Sequence, residues 1–103
     1  MKRIIDGKRY DTETAEMVAE DSNGYAYSDF NHCEETLYRT QRGNWFLYGE
    51  GGPMSKYSQA VGDMRGGGSA IVPLSADDAR SWLENAGKTD ELERYFPDSI
   101  EDA

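Results

Sequence analysis

The chain has 103 residues, of which 37% are hydrophobic and 30% charged, with a formal charge of -9 at pH 7. That length fits one domain with one modest core, since about two thirds of the unfolded surface is hidden at this size, and seven Tyr, three Phe and two Trp exceed what disordered acidic chains carry. The charge argues against direct binding to nucleic acid or an anionic membrane, and the lone Cys33 rules out a disulfide within the chain.

The charge is unevenly spread: +3 over residues 1–10, -8 over 11–36, +2 over 37–75 and -6 over 76–103. Two acidic blocks therefore flank a weakly basic middle. Such blocks suit a basic protein partner, although acidic surfaces also serve simply to keep domains dispersed. A single cysteine fits a reducing interior. No secretory apolar core follows the basic N-terminus and no run of about 18 apolar residues exists, so a soluble cytosolic protein is expected.

In chain order, the first signal is Asp6-Gly7, a pair suited to the positive φ values of a type I′ turn, which predicts a hairpin over residues 3–10. Asp11, Thr12 and Thr14 then compete with regular backbone bonding, so residues 11–15 read as a turn or a single helical turn. Residues 15–20 match neither period cleanly, and a strand over 16–21 is the expectation. Asp21-Ser22-Asn23-Gly24 is turn chemistry, and residues 25–33 mix aromatic and polar side chains without a period, as an irregular crossing would.

Residues 36–40 and 44–48 pair as a hairpin around Gln41-Arg42-Gly43, with Gly43 in the left-handed position. Alternation sends Trp45 and Leu47 to one face and Phe46 and Tyr48 to the other. Both faces then need cover, from helices or from a partner, and a C2 homodimer is one way to supply it. Seven of the eleven glycines fall in residues 49–69, which predicts a long loop, interrupted near 56–61 by a short strand or turn. Residues 70–73 form a last strand closed by Pro73.

Ser75 is a suitable N-cap, Asp77 and Asp78 suit the first turn, and Ala79, Trp82, Leu83 and Ala86 recur at helical spacing before Gly87. A helix over 76–86 with Trp82 against the sheet follows. Thr89 is expected to cap a shorter helix carrying Leu92, Tyr95 and Phe96 and ended by Pro97. The acidic residues 98–103 are expected to fray. The resulting class is α+β: a single domain over residues 1–97, with an antiparallel sheet of about five or six strands covered by one or two C-terminal helices.

Chemistry-bearing patterns are few. A metal site would have to begin from His32, the only histidine, beside Cys33, with Asp29, Glu34 or Glu35 as helpers. Neighbours on a strand point to opposite faces and no second His or Cys completes a structural zinc site, so no metal or cofactor is expected. Cys33 beside His32 supplies the residue types of a nucleophile and base, but adjacency is not the required geometry, and a buried or incidental thiol is the expectation. Residues 49–56, GEGGPMSK, suggest an anion-binding loop ending at Lys56, but the spacing departs from the phosphate-binding motif. The aromatics Tyr38, Trp45, Phe46, Tyr48 and Tyr57 could stack bases, yet their alternation makes them packing residues.

The segments KRYDTETA (8–15), ETLYRT (35–40), GNWFLYGEGG (43–52) and IVPL (71–74) resemble a family of small acidic proteins of phages and other bacterial mobile elements. The resemblance covers most of the chain and carries no catalytic residues. It implies a mobile-element context, in which compact, acidic, non-enzymatic inhibitors of host defence occur, anti-CRISPR proteins among them. The expected function is thus inhibition by binding a host or element-encoded protein in the bacterial cytoplasm, such as a CRISPR effector complex whose basic groove takes nucleic acid. Expected contacts are Glu16, Glu20, Asp21, Asp29, Glu34 and Glu35, with Tyr25 and Tyr27 as aromatic anchors. A small ligand-binding or enzymatic module built on residues 49–56, or a mobile-element regulatory protein, is the alternative.

Overall fold

Asp6 and Gly7 take φ values of 52° and 76°, the two left-handed residues of a type I′ turn, and join β1 (Lys2–Ile5) to β2 (Lys8–Asp11). The structure, a computed structural model, describes residues 1–103. Its main sheet is antiparallel, with β3 (Glu16–Ser22), β4 (Cys33–Arg39), β5 (Trp45–Gly51) and β8 (Gly68–Leu74) in the order β3-β4-β5-β8. A third sheet pairs β6 (Gln59–Val61) with β7 (Met64–Gly66). Two helices, α1 (Ala76–Asn85) and α2 (Thr89–Tyr95), follow the strands.

The class is α+β with the helices at the C-terminus, as the sequence predicts, but the strands number eight and divide among three antiparallel sheets. The first hairpin does not extend the main sheet; it lies across one face. There Tyr10 meets Phe46 edge-on, with ring centroids 5.5 Å apart, and these two form a buried cluster with Ile71, flanked by Ile5, Tyr38 and Tyr48. On the opposite face Leu37, Trp45 and Leu47 pack with Ala79 and Leu83 of α1. Alternation along β5 thus feeds two small cores, one under each cover. The face that the sequence leaves open to a partner is covered by the chain's own N-terminal hairpin.

Register in β3 explains the mixed pattern of residues 15–20. Met17 pairs with Tyr38 and Ala19 with Leu37, so Val18 is an extra residue in a β-bulge. The strand alternation breaks there. Pro73 lies within β8 and does not close it: β8 is an edge strand, whose free side tolerates a missing N–H.

Helix α1 begins and ends as its sequence predicts. The Ser75 side chain accepts from the Asp78 N–H, and past the last turn Lys88 N–H bonds to Leu83 C=O and Gly87 N–H to Glu84 C=O, which is a Schellman ending. Lys88, directly after that ending, is the N-cap of α2. Thr89 is therefore the first helical residue instead of the cap, and no side chain caps this helix. Tyr95 and Phe96 clamp the Trp45 ring, at 5.6 Å and 5.2 Å between centroids. Pro97–Ser99 forms one 3-10 turn, and residues 100–103 have no regular structure. No helix is long and apolar enough to cross a membrane.

The radius of gyration is 15.0 Å, against about 13 Å for a compact chain of this length. The β6–β7 arm accounts for part of the excess, since every residue in it except Gly66 is exposed.

Candidate functional site

The acidic end of the main sheet is where β3 finishes, β4 starts and β5 finishes. Between β3 and β4 the chain runs through residues 23–32, a loop closed by its own polar side chains. Asn23 Nδ2 donates to Asn31 C=O at 2.6 Å while its Oδ1 accepts from Cys33 N–H at 3.1 Å. Asp29 Oδ1 accepts from Asn31 N–H at 2.8 Å. The loop is held to the segment after β5 by Gly52 N–H to His32 C=O and Met54 N–H to Phe30 C=O. A loop so pinned presents Tyr25, Tyr27 and Phe30 to solvent, 51%, 78% and 63% exposed.

The eight residues singled out in the sequence do not form one patch. Glu20, Asp21 and Glu34 are exposed and lie together at this end, beside Tyr25 and Tyr27 of the loop. Asp29 is spent on closing the loop. Glu16 sits at the opposite end of β3, roughly 17 Å away at 3.4 Å per residue, where Tyr95 donates to it at 2.6 Å and Arg94 lies 3.9 Å off.

Glu35 is an internal tie. Its carboxylate accepts from Tyr57 OH at 2.5 Å and Trp82 Nε1 at 3.2 Å, with Lys56 Nζ at 2.8 Å. Burial pushes its pKa up, but the three donors outweigh this and hold the carboxyl below the usual 4.5. The Tyr57 hydroxyl is correspondingly pushed far up, by burial and by its bond to Glu35. Lys56 is thus committed to Glu35 and is not a free cation for an anion-binding loop. Nor is GEGG (49–52) mainly loop: Gly49 and Gly51 belong to β5, and a Cβ at Gly49 would overlap the Tyr57 ring.

No protein-family model, curated protein or solved structure matches this chain.

On the face opposite Glu35, His32 is 3% exposed. Its Nδ1 lies 3.2 Å from Tyr25 C=O; a carbonyl only accepts, so Nδ1 carries the proton of that bond. Nε2 has no hydrogen-bond partner, and Glu34 Oε1 lies 3.8 Å from it. Glu50 joins them, with one donor atom from each of the three residues within 4.8 Å of the other two. The sequence reading named His32 and Glu34 but missed Glu50, which the β4–β5 register sets directly opposite Glu34. Cys33 points the other way, lining a hollow with Asp21, Met54 and Lys56. Burial and then the charge of Glu35 push its thiol up, so it stays protonated and weakly nucleophilic at neutral pH.

Proposed function

We propose that the protein is a non-enzymatic inhibitor that binds a basic, nucleic-acid-binding surface of a partner protein, a CRISPR effector complex of the bacterial host being the first partner to test. The reading rests on one observation: Glu20 and Asp21, exposed and without Lys or Arg partners, stand at the end of β3 that leads into a hydrogen-bonded loop exposing Tyr25 and Tyr27. Unpaired carboxylates speed encounter with a cationic groove, and aromatic anchors slow release once it is filled. The -8 charge of residues 11–36 and the resemblance to small acidic mobile-element proteins support the same reading.

The test is target-DNA binding by purified effector complexes in the presence of the protein. Inhibition is expected, and the double variant Glu20→Lys/Asp21→Lys should relieve it while retaining the wild-type circular dichroism. Unchanged inhibition by that variant overturns the charge-mediated mechanism, and absence of inhibition across effector types overturns the choice of partner.

A further inference from the structure

We infer that His32, Glu34 and Glu50 form a binding site for a divalent first-row transition-metal ion, independent of the surface function proposed above. In the β4–β5 ladder Glu34 stands directly opposite Glu50. Like charges in that relation destabilise an antiparallel pair, and neither carboxylate has a Lys or Arg partner. The third member is the buried His32, whose Nε2 has no hydrogen-bond partner and faces the same space. Two carboxylates and an unpartnered imidazole nitrogen, converging with no Lys or Arg among them, form a donor set that a metal ion would satisfy.

The surroundings fit that role. A metal-bound histidine ordinarily donates its other ring N–H to a carbonyl or carboxylate, fixing the tautomer and the ring, and the Nδ1 bond to Tyr25 C=O does so here. Tyr48 OH lies 3.5 Å from Glu50 Oε2 and supports that carboxylate from outside. An ion about 2.1 Å from each donor in tetrahedral array needs donors about 3.4 Å apart. The donors, all within 4.8 Å of one another and with His32 Nε2 3.8 Å from Glu34 Oε1, must draw in to hold an ion, and the Glu34 side chain, 48% exposed, has room to move.

Both the ion and the kind of site follow from the donors. One nitrogen and two carboxylates without a thiolate suit zinc, iron or manganese, whereas calcium and magnesium prefer oxygen alone. His32 and Glu50, though not Glu34, also border a cavity of about 420 Å³ lined by Tyr27, Gln59, Ser69 and four glycines. Three protein donors, two of them facing that opening, leave a coordination position for water or a small anionic ligand, unlike the closed four-ligand shell of a structural zinc site. Binding would also fasten the aromatic loop to the sheet through His32.

The experiment uses the full chain, stripped with chelator and dialysed, titrated calorimetrically with zinc chloride and, for its absorption bands, with cobalt chloride. Magnesium and calcium chlorides serve as comparison ions. One equivalent of zinc should bind, at least about tenfold more tightly than magnesium or calcium. Glu34→Gln and Glu50→Gln should each weaken zinc about tenfold or more with unchanged circular dichroism, while Glu20→Gln leaves the affinity as it was. These variants avoid His32, whose replacement could unfold the loop. Absence of zinc and cobalt binding at millimolar metal overturns the proposal, leaving a His32–Glu34 ion pair as the account of the cluster. Binding that survives both glutamate variants overturns it as well, since the ion then sits on acidic surface elsewhere. Either result leaves the inhibition assay untouched, so the two proposals fail separately.

Discussion

Glu35 collects three donors from two parts of the chain: Lys56 and Tyr57 after β5, and Trp82 on α1. Lys56 is 64% exposed, and exposed ion pairs add little, so the bonds from Tyr57 and Trp82 carry most of the tie. Glu35→Gln should cost about 2 kcal/mol, the scale of hydrogen bonds to a charged group, measured by urea unfolding at neutral pH. The sign of its pH dependence follows from the lowered pKa. The unfolded state takes up its proton first, near 4.5, so the contribution is complete above that value and is lost as pH falls through the lower folded value. Wild-type stability should therefore fall across this acid window more steeply than that of the Gln variant; parallel profiles would remove Glu35 as the cause. Gly49→Ala tests the same tie from beneath, because the added methyl displaces the Tyr57 ring. A loss of about 2 kcal/mol, typical of overpacking, is expected in the same unfolding assay.

Among the elements, α1 is the one whose ends and buried face are all visible in local sequence, from Ser75 to Gly87. Ser75→Ala should lower the unfolding free energy by about 1 kcal/mol, the usual worth of such a cap, as read from the shift in urea midpoint at constant slope. The first hairpin was equally legible from Asp6-Gly7, but its position was not. Nothing in residues 2–11 says whether they extend the sheet or lie across it; Tyr10 against Phe46 decides that. The bulge at Val18 escaped, and of the β6–β7 hairpin only a short strand or turn near 56–61 is legible, for related reasons. A bulge disguises the period of two, and exposed three-residue strands carry too little apolar pattern to show one. Glu50 could have been found, since carrying the predicted hairpin register outward from Thr36 brings Glu34 opposite it.

Across the main sheet, carboxylates without Lys or Arg partners collect at one end. Glu20, Asp21, Glu34 and Glu50 gather at one end of the main sheet. Lys8, Arg9 and Arg42 border a common hollow at the other. The proposed partner, approaching the acidic end, would be steered by this charge, so its association rate should fall steeply as salt rises from about 0.01 M to 0.15 M, over which the screening length shortens from about 30 Å to about 8 Å. Stopped-flow or surface-based kinetics would show this, with the dissociation rate changing much less. A rate indifferent to salt would show that the aromatic anchors act without electrostatic help.

The sequence by itself determined the α+β class, the two turn-centred hairpins, the capped helix and the two-faced alternation of β5. Each is set by neighbours in the chain, through backbone sterics and side-chain period. Tertiary structure alone decided which hairpin covers which face, that Glu35 serves the interior while Glu20 and Asp21 face solvent, and that Glu34 and Glu50 converge on the bare nitrogen of His32. These depend on contacts between residues far apart in the chain, and a carboxylate reads the same in sequence whether it ends beside a donor, in water or against another carboxylate.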